Sequence, residues 1–452
     1  MNKKKFSVST IWVIMLSFLA VIFVGSLLLY MPVSTADGNG VSYIDALFTA
    51  TTATCVTGLV TLPVVSTWSI FGQIVLLALI QVGGLGVITV VSGFMIAIHK
   101  KIGFSNRLLL QDSFNLNSLS GIVAFVKKVI TGTFIVEAAG AVMYMTVFVP
   151  EFGVKGIWIS VFNSVSAFCN AGIDIIADNS LCNYMTNPVI NFTTILLIVL
   201  GGLGYIVWWD IIRVSKQLRT QGLRCFTRLT LHSKIAASST IIFILAGAFL
   251  IFIFEADNPL TVGDNTLFEK LQFSLFQSVT TRTAGFATVP QENLSSGASF
   301  VSLVLMFIGG SPVGTAGGIK TVTVAILFAA AMSTIRNQNE TELFNRTLPK
   351  KAINKAVAVC GMSFIIMLCS TLLLSMVCNA PALDIIYETV SATATVGLTR
   401  NLTAGLDFWG KSIIICTMYL GRIGPISLAF AFGTRKENRN IIKNPVEEIS
   451  IG

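Results

Sequence analysis

The sequence predicts an all-α integral membrane fold. Eight transmembrane helices and four shorter re-entrant helices form four tandem repeats about a pseudo-fourfold axis. Three observations predict it. Gly58, Gly172, Gly285 and Gly397 each close a short Thr/Ser-rich segment, at intervals of 114, 113 and 112 residues. Self-similarity at a fixed period means one architectural unit used again. A second glycine cluster follows each first one: Gly83-Gly84-Leu85-Gly86, Gly201-Gly202-Leu203-Gly204, Gly309-Gly310 and Gly421-Arg422-Ile423-Gly424. The mean hydropathy is +0.81, and charged residues make up 11% of the chain, against roughly 25% in soluble domains.

Each repeat contains two apolar runs of about 20 residues or more, the length that crosses a bilayer. In repeat one (10–98) they lie near 10–31 and 68–98. Repeat two (122–212) has 122–149 and 188–212, repeat three (234–333) has 234–255 and 299–333, and repeat four (352–432) has 352–378 and 410–432. Residues 433–452 form a polar tail. Between the runs of each repeat lies a semi-polar, helix-compatible stretch too short to span: 42–54, 157–168, 267–280 and 382–394. A half-membrane helix with irregular chain behind it is tolerated at that depth only inside protein or beside a water-filled path.

Charge sets the orientation. With the termini and repeat junctions on one side, that side holds 23 of the 30 Lys and Arg, from Lys3–Lys5 through the 213–234 segment to Lys443. The positive-inside rule makes that side cytoplasmic. Of the 21 acids, 13 lie outside, where a negatively biased mouth concentrates cations. The pI of 9.2 therefore reflects topology and anionic lipid rather than nucleic acid, since no basic stripe carries interleaved aromatics. Lys3–Lys5 before an apolar run also fits a secretory leader. The run is longer than a leader core, however, and its removal would leave repeat one a span short. The eight cysteines (55, 169, 182, 225, 360, 369, 378 and 416) have no metal-ligand spacing and read as buried free thiols. His99 and His232 stand alone at span ends, so no metal or catalytic role is expected of them.

Two crossings per repeat return the chain to its starting side, so all four units point the same way. Inverted-repeat carriers need an odd number. Four parallel units fit a ring around an axis normal to the membrane, with the frames Val56-Thr57-Gly58, Asn170-Ala171-Gly172, Thr283-Ala284-Gly285 and Thr395-Val396-Gly397 meeting on it. Thr395-Val396-Gly397 repeats the start of the TVGYG potassium filter, whose carbonyls replace the hydration shell of the ion. Each re-entrant helix aims the negative end of its dipole at the axis. No carboxylate ring lies in the frames, which suits a weakly hydrated monovalent cation and no other metal.

With single filter glycines between paired spans, the four units resemble the M1-P-M2 units of the Trk/Ktr/HKT superfamily, over about residues 10–435. They most resemble its KtrB-type branch, since eight spans leave no room for two further N-terminal helices. The resemblance implies potassium uptake across a bacterial plasma membrane, with the twelve frame residues as the filter. It also implies a homodimer, a cytosolic ring of RCK-type nucleotide-binding regulatory subunits, and sodium activation. Any nucleotide would then be held by the partner and not by this chain. Three frames lack Thr-Val and all lack the second glycine, which weakens the case for strict K⁺ over Na⁺ selectivity.

Two gate candidates follow. Gly309-Gly310-Ser311-Pro312-Val313-Gly314-Thr315-Ala316-Gly317-Gly318 cannot continue a helix. It is either an intramembrane gating loop, as the resemblance implies, or a close helix crossing. Arg422, mid-span in repeat four, is either a positive barrier beneath the filter or the partner of an acid such as Glu137. Arg282 and Arg400, beside frames three and four, are expected to brace the filter through acids or carbonyls. An enzyme reading of the Gly-Gly-Leu-Gly clusters as dinucleotide fingerprints fails, because they lie inside apolar runs and not between a strand and a helix. The rival reading is an uncoupled or sodium-permeable monovalent cation channel.

Overall fold

The computed structural model describes residues 10–98, 103–113 and 121–424. The 433–452 tail, the end of the last predicted span, His99 and the basic clusters at 3–5, 100–101 and 435–443 lie outside the described residues. The described chain is helical apart from one two-stranded hairpin, Glu342–Leu343 with Arg346–Thr347, at the junction between repeats three and four.

Four long helices begin the four predicted repeats: Thr10–Tyr30, Ile122–Phe152, Leu231–Glu255 and Lys350–Val377. Each is long and apolar enough to cross a membrane. Their apolar side chains face outward: Phe23, Ile241, Phe249, Ile365 and Leu372 are all more than half exposed. Such a surface needs lipid to cover it.

A short helix follows each long one: Tyr43–Cys55, Lys155–Cys169, Leu267–Thr280 and Ala382–Ala394. The first starts where the Ser42 hydroxyl accepts the Asp45 amide, and the third on a capping box between Thr266 and Glu269. From the middle of each onward nearly every residue is buried, hydroxyl residues included (Thr51, Ser160, Ser278 and Ser391). Many hydroxyls are thus buried while large apolar side chains are exposed on the long helices, unlike in a soluble protein.

The third part of each repeat departs from the expected straight spans over 68–98 and 188–212. Ile70–Leu85 and Val87–Ala97 meet at 97°, and Pro188–Leu203 bends by 98° into the helix that starts at Tyr205. Both bends fall on a glycine in one unusual conformation, Gly86 at φ 84, ψ 134 and Gly204 at φ 92, ψ 137. An L-residue rarely adopts it, so glycine sets the corner. Phe408–Ile423 ends on Gly424 at φ 86, ψ 140. In repeat three the helices Ser296–Phe307 and Thr321–Ile335 are separated by the predicted non-helical stretch. Counting each bent pair as one span gives up to six membrane-crossing helices among the described residues, against the eight expected.

Each short helix packs on both flanking helices of its own repeat and on the helix that follows the short helix of the preceding one. Lys155–Cys169 thus meets Ile70–Leu85, Leu267–Thr280 meets Pro188–Leu203, and Ala382–Ala394 meets Ser296–Phe307. Tyr43–Cys55 meets Phe408–Ile423, so the last repeat closes on the first.

Candidate functional site

The frames sit at the C-terminal ends of the four short helices. Two residues before each glycine the backbone turns left-handed: Val56 at φ 56, Asn170 at φ 59, Thr283 at φ 69 and Thr395 at φ 51. For β-branched Val56, Thr283 and Thr395 this is a true outlier, which persists only where the surroundings enforce it. The glycines follow with φ of 101, 62, 83 and 99.

The glycines meet in a ring. A Cβ on Gly58 would lie 2.6 Å from the Ala171 carbonyl oxygen, and one on Gly172 would lie 2.5 Å from that of Ala284. Gly285 faces the Val396 oxygen at 2.5 Å in the same sense, and Gly397 abuts the Thr57 oxygen. Each glycine therefore touches the residue before the next glycine, in the order one, two, three, four, one. The predicted frame residues thus converge. Those of Thr57, Ala171, Ala284 and Val396 are the carbonyls on the contact line.

Hydroxyls on the short helices hold the frames from behind. The Gly58 amide donates to Thr52 Oγ1 (3.0 Å), the Gly397 amide to Ser391 Oγ (3.0 Å) and the Ile173 amide to Ser166 Oγ (3.1 Å). In repeat three Thr280 Oγ1 instead donates to the Phe286 carbonyl (2.6 Å). Reading the sequence frame by frame missed these four residues. Their signal was present, since Thr52, Ser166 and Ser391 each stand six positions before a frame glycine.

The second glycine clusters have a specific neighbour. A Cβ on Gly83, Gly201 or Gly421 would strike the carbonyl of Thr54, Phe168 or Thr393, the residue four positions before the frame glycine. Bare backbone there lets the following helix lie directly against the last turn of the short helix, as small residues do where membrane helices pack closely.

The 309–318 segment loops back under the frames. Ile308 and Ile319 form an isolated bridge at its neck. The loop is tied to repeat two through Ser311 N to Gly202 O (2.8 Å), Thr315 N to Gly201 O (3.1 Å) and Tyr205 N to Val313 O (2.9 Å). It also reaches three frames. Thr315 Oγ1 donates to Phe168 O (3.0 Å) and Asn170 Oδ1 (3.2 Å), and the Gly317 amide donates to Thr283 Oγ1 (3.1 Å). Gly317 itself packs against Thr395 and Ala394.

Three cations surround this loop, and each donates only to main-chain carbonyls. Arg422 binds Thr315 O (2.7 Å) and Gly83 O (2.6 Å), Lys320 binds Ala316 O (2.6 Å), and buried Arg282 binds Gly309 O (3.2 Å) and Thr240 O (3.4 Å). Arg422 and Glu137 are therefore not a pair: the Glu137 carboxylate accepts from Gln81 Nε2 (3.3 Å) and faces Cys169 Sγ. Arg400 does brace the surroundings of frame four, through Asp384 (2.7 Å), as expected. Cys55, Cys169 and Cys225 are buried free thiols, but Cys369 and Cys416 are exposed on apolar helices. No metal-holding cluster of His, Cys, Asp and Glu occurs among the described residues.

Comparison with known proteins identifies the family. The family model described as "TrkH: Cation transport protein" matches residues 5–443. The chain belongs to the TrkH family of cation transport proteins. It is 36% identical to the potassium/sodium uptake protein NtpJ of Enterococcus hirae, covering 98% of this chain and 97% of the relative. Similarity to the Ktr system potassium uptake protein B of Bacillus subtilis is also 36%, covering 97% and 96%, and to that of Vibrio alginolyticus 34%, covering 97% and 94%. The crystal structure of the potassium transporter TrkH from Vibrio parahaemolyticus superposes with a TM-score of 0.76 over 95% of this chain and 86% of that one, at 16% identity. At that identity the likeness concerns the fold. The chain is a multi-pass membrane ion-transport protein of the KtrB type, and not an enzyme.

Proposed function

We propose that the chain is the membrane subunit of a potassium uptake system and conducts K⁺ through the ring of four frames. The observation that carries this reading is the cyclic contact of the frame glycines with the carbonyls of Thr57, Ala171, Ala284 and Val396. Carbonyl dipoles around an axis replace hydration water for a monovalent cation, and the four short helices add their negative ends. Thr57 and Thr395 hydroxyls in the frames, buried and without protein partners, fit a path lined by ion or water. The repeats then read as four M1-P-M2 units with eight spans, the bent and broken helices each serving as the second span, at 10–98, 122–212, 234–333 and 352–432.

The loop Gly309–Gly318 acts as the gate. It lies beneath three frames, and Arg422 pins it through Thr315 while placing positive charge at the same level. Control comes from a cytosolic nucleotide-binding ring acting on a homodimer in the plasma membrane, with both termini cytoplasmic. The partner reading is supported by the relatives named as parts of a Ktr system. A second reading, a channel that also passes sodium, is favoured by the degenerate frames and by the relative named for potassium and sodium uptake.

Purified protein in vesicles tests both. The first reading expects K⁺ influx that exceeds Na⁺ influx and rises when the regulatory ring and its nucleotide are added. Equal K⁺ and Na⁺ fluxes would favour the second. The absence of either flux, with or without the ring, would refute both.

A further inference from the structure

Behind frames three and four lies a polar network that the conduction path itself does not use. Glu388 is fully buried on the short helix of repeat four, nine positions before Gly397. Its Oε2 accepts the Thr399 hydroxyl at 2.6 Å and its Oε1 accepts the Thr403 hydroxyl. Thr399 stands two residues beyond Gly397, so this carboxylate ties the strand leaving frame four back onto its own short helix. Arg400, the next residue, extends the tie sideways. Its Nε meets Asp384 Oδ1 (2.7 Å), and its other nitrogens reach the Gln291 carbonyl (2.8 Å), Ser299 Oγ (2.8 Å) and the Glu292 carbonyl (3.2 Å).

Gln291, 2% exposed in the loop that leaves frame three, is the hub. Its Oε1 accepts both Gln277 Nε2 (2.6 Å) on the third short helix and the Tyr387 hydroxyl (3.0 Å) on the fourth. The exit strands of two neighbouring frames are thus joined to each other and to both short helices. The positions matching Glu388 in the other repeats are Thr49, Asn163 and Phe276, so no other frame carries a carboxylate there. A buried carboxylate is costly unless its oxygens are satisfied, and a fully satisfied buried network rigidifies the chain it joins.

We infer that Glu388, with Thr399 and the Arg400–Gln291 link, is a positioning residue for ion selectivity. It holds the outer end of frame four, and through Gln291 that of frame three, at the spacing that separates K⁺ from Na⁺. This rests on the frames being the selectivity filter. Glu388 touches no ion and acts by fixing the strand. Its hydrogen bonds do the holding: a glutamine of the same shape accepts Thr399 and donates to Thr403, so it preserves the tie without the charge.

The test is the ratio of K⁺ to Na⁺ uptake by full-length protein in vesicles, with thermal stability and homodimer content measured in parallel. Glu388→Ala and Thr399→Val are expected to lower the ratio at least tenfold, while Thr399→Ser and Glu388→Gln keep it within about twofold of the parent. A purely structural role would lower the melting temperature and yield and leave the ratio of the surviving protein unchanged. That result in Thr399→Val, the gentler change, overturns the inference. So does a Glu388→Gln ratio as low as that of Glu388→Ala, because charge would then be the determinant. Gly397→Ser in the same vesicles separates the two levels. If it alters the ratio while Glu388→Ala and Thr399→Val do not, the brace fails and the filter stands. If none of them does, the filter reading fails.

Discussion

Replacing a frame glycine with serine should weaken potassium binding by an amount that the backbone of each frame sets. At Gly285 the new Cβ meets the Val396 carbonyl oxygen at 2.5 Å, whereas ordinary contact begins at 3.4 Å, so that oxygen must retreat by about 0.9 Å (3.4 minus 2.5). Gly172 needs the same retreat from Ala284 and also strikes the Gly285 backbone at 2.7 and 2.8 Å, and Gly397 against Thr57 needs more. Conformation adds a second cost. Gly58 at φ 101 and Gly397 at φ 99 lie beyond the φ range of the left-handed region an L-residue can enter, whereas Gly172 at φ 62 lies within that φ range. Strain of this kind is worth about 1–3 kcal/mol per residue. If the ring relieves it by moving a coordinating carbonyl, K⁺ affinity falls about tenfold for each 1.4 kcal/mol. The expected order of damage is Gly397→Ser worst, where clash and conformation coincide, and the other three milder, over a range of roughly 10- to 100-fold. The assay is K⁺-concentration dependence of uptake in vesicles, with Na⁺ as competitor, on variants first shown to be folded. Four folded variants with the parent's affinity and selectivity would refute the ring as the ion site.

Deleting Val313–Ala316 should raise flux and loosen its dependence on the regulatory ring, because Thr315 carries the loop's bonds to Phe168, Asn170 and Arg422. A folded deletion with low, fully partner-dependent flux would place the gate elsewhere. Arg422→Ala should also raise flux while leaving the K⁺ to Na⁺ ratio intact, since its two bonds go to Thr315 and Gly83 and not to frame residues; a changed ratio would contradict this. Neutralising Arg219, Arg224 and Arg228 together, all exposed, should reduce co-purification with the cytosolic ring. Undiminished co-purification leaves that segment only its attraction to anionic lipid, about 1 kcal/mol per charge.

The repeat, the buried short helices and the convergence of the frames were legible because each depends on a local feature repeated four times. A glycine is needed wherever a Cβ would strike the neighbouring frame, and that need recurs at every corner of a ring. The bends at Gly86 and Gly204 were harder to read, since both sit within unbroken apolar runs whose hydropathy does not register backbone direction. Both bends turn on a positive φ, at which only the glycine identity hints. The partners of Arg422 were illegible for another reason. A sequence shows acids but not which carbonyls a fold leaves free, so Glu137 looked like the natural partner. In the structure, the three cations beside the loop bond to main-chain carbonyls instead. The Glu388–Thr399 tie joins residues eleven apart across a turn, and spacing alone does not reveal such a contact.

Two sets of bonds act on the frames from different directions, and this makes gate and filter partly separable. From behind, Thr52 and Ser391 fix frame amides and Ser166 fixes the Ile173 amide just beyond frame two, and nothing in the loop takes part in those bonds. From below, the loop touches frames two, three and four through Thr315 and Gly317, while its described contacts omit frame one. Sites without shared partners combine additively in free energy, and sites sharing a contact do not. Thr52→Val, which removes the tie behind frame one, combined with deletion of Val313–Ala316 should therefore give the product of the two single effects on K⁺ affinity. Asn170→Ala combined with the same deletion should give less than the product, because both changes remove the one bond between Thr315 and Asn170. Vesicle uptake of the three single and two double variants measures both cycles. If frame one proves as strongly coupled to the loop as frame two, the loop acts on the whole ring, and withdrawing it must alter selectivity along with flux.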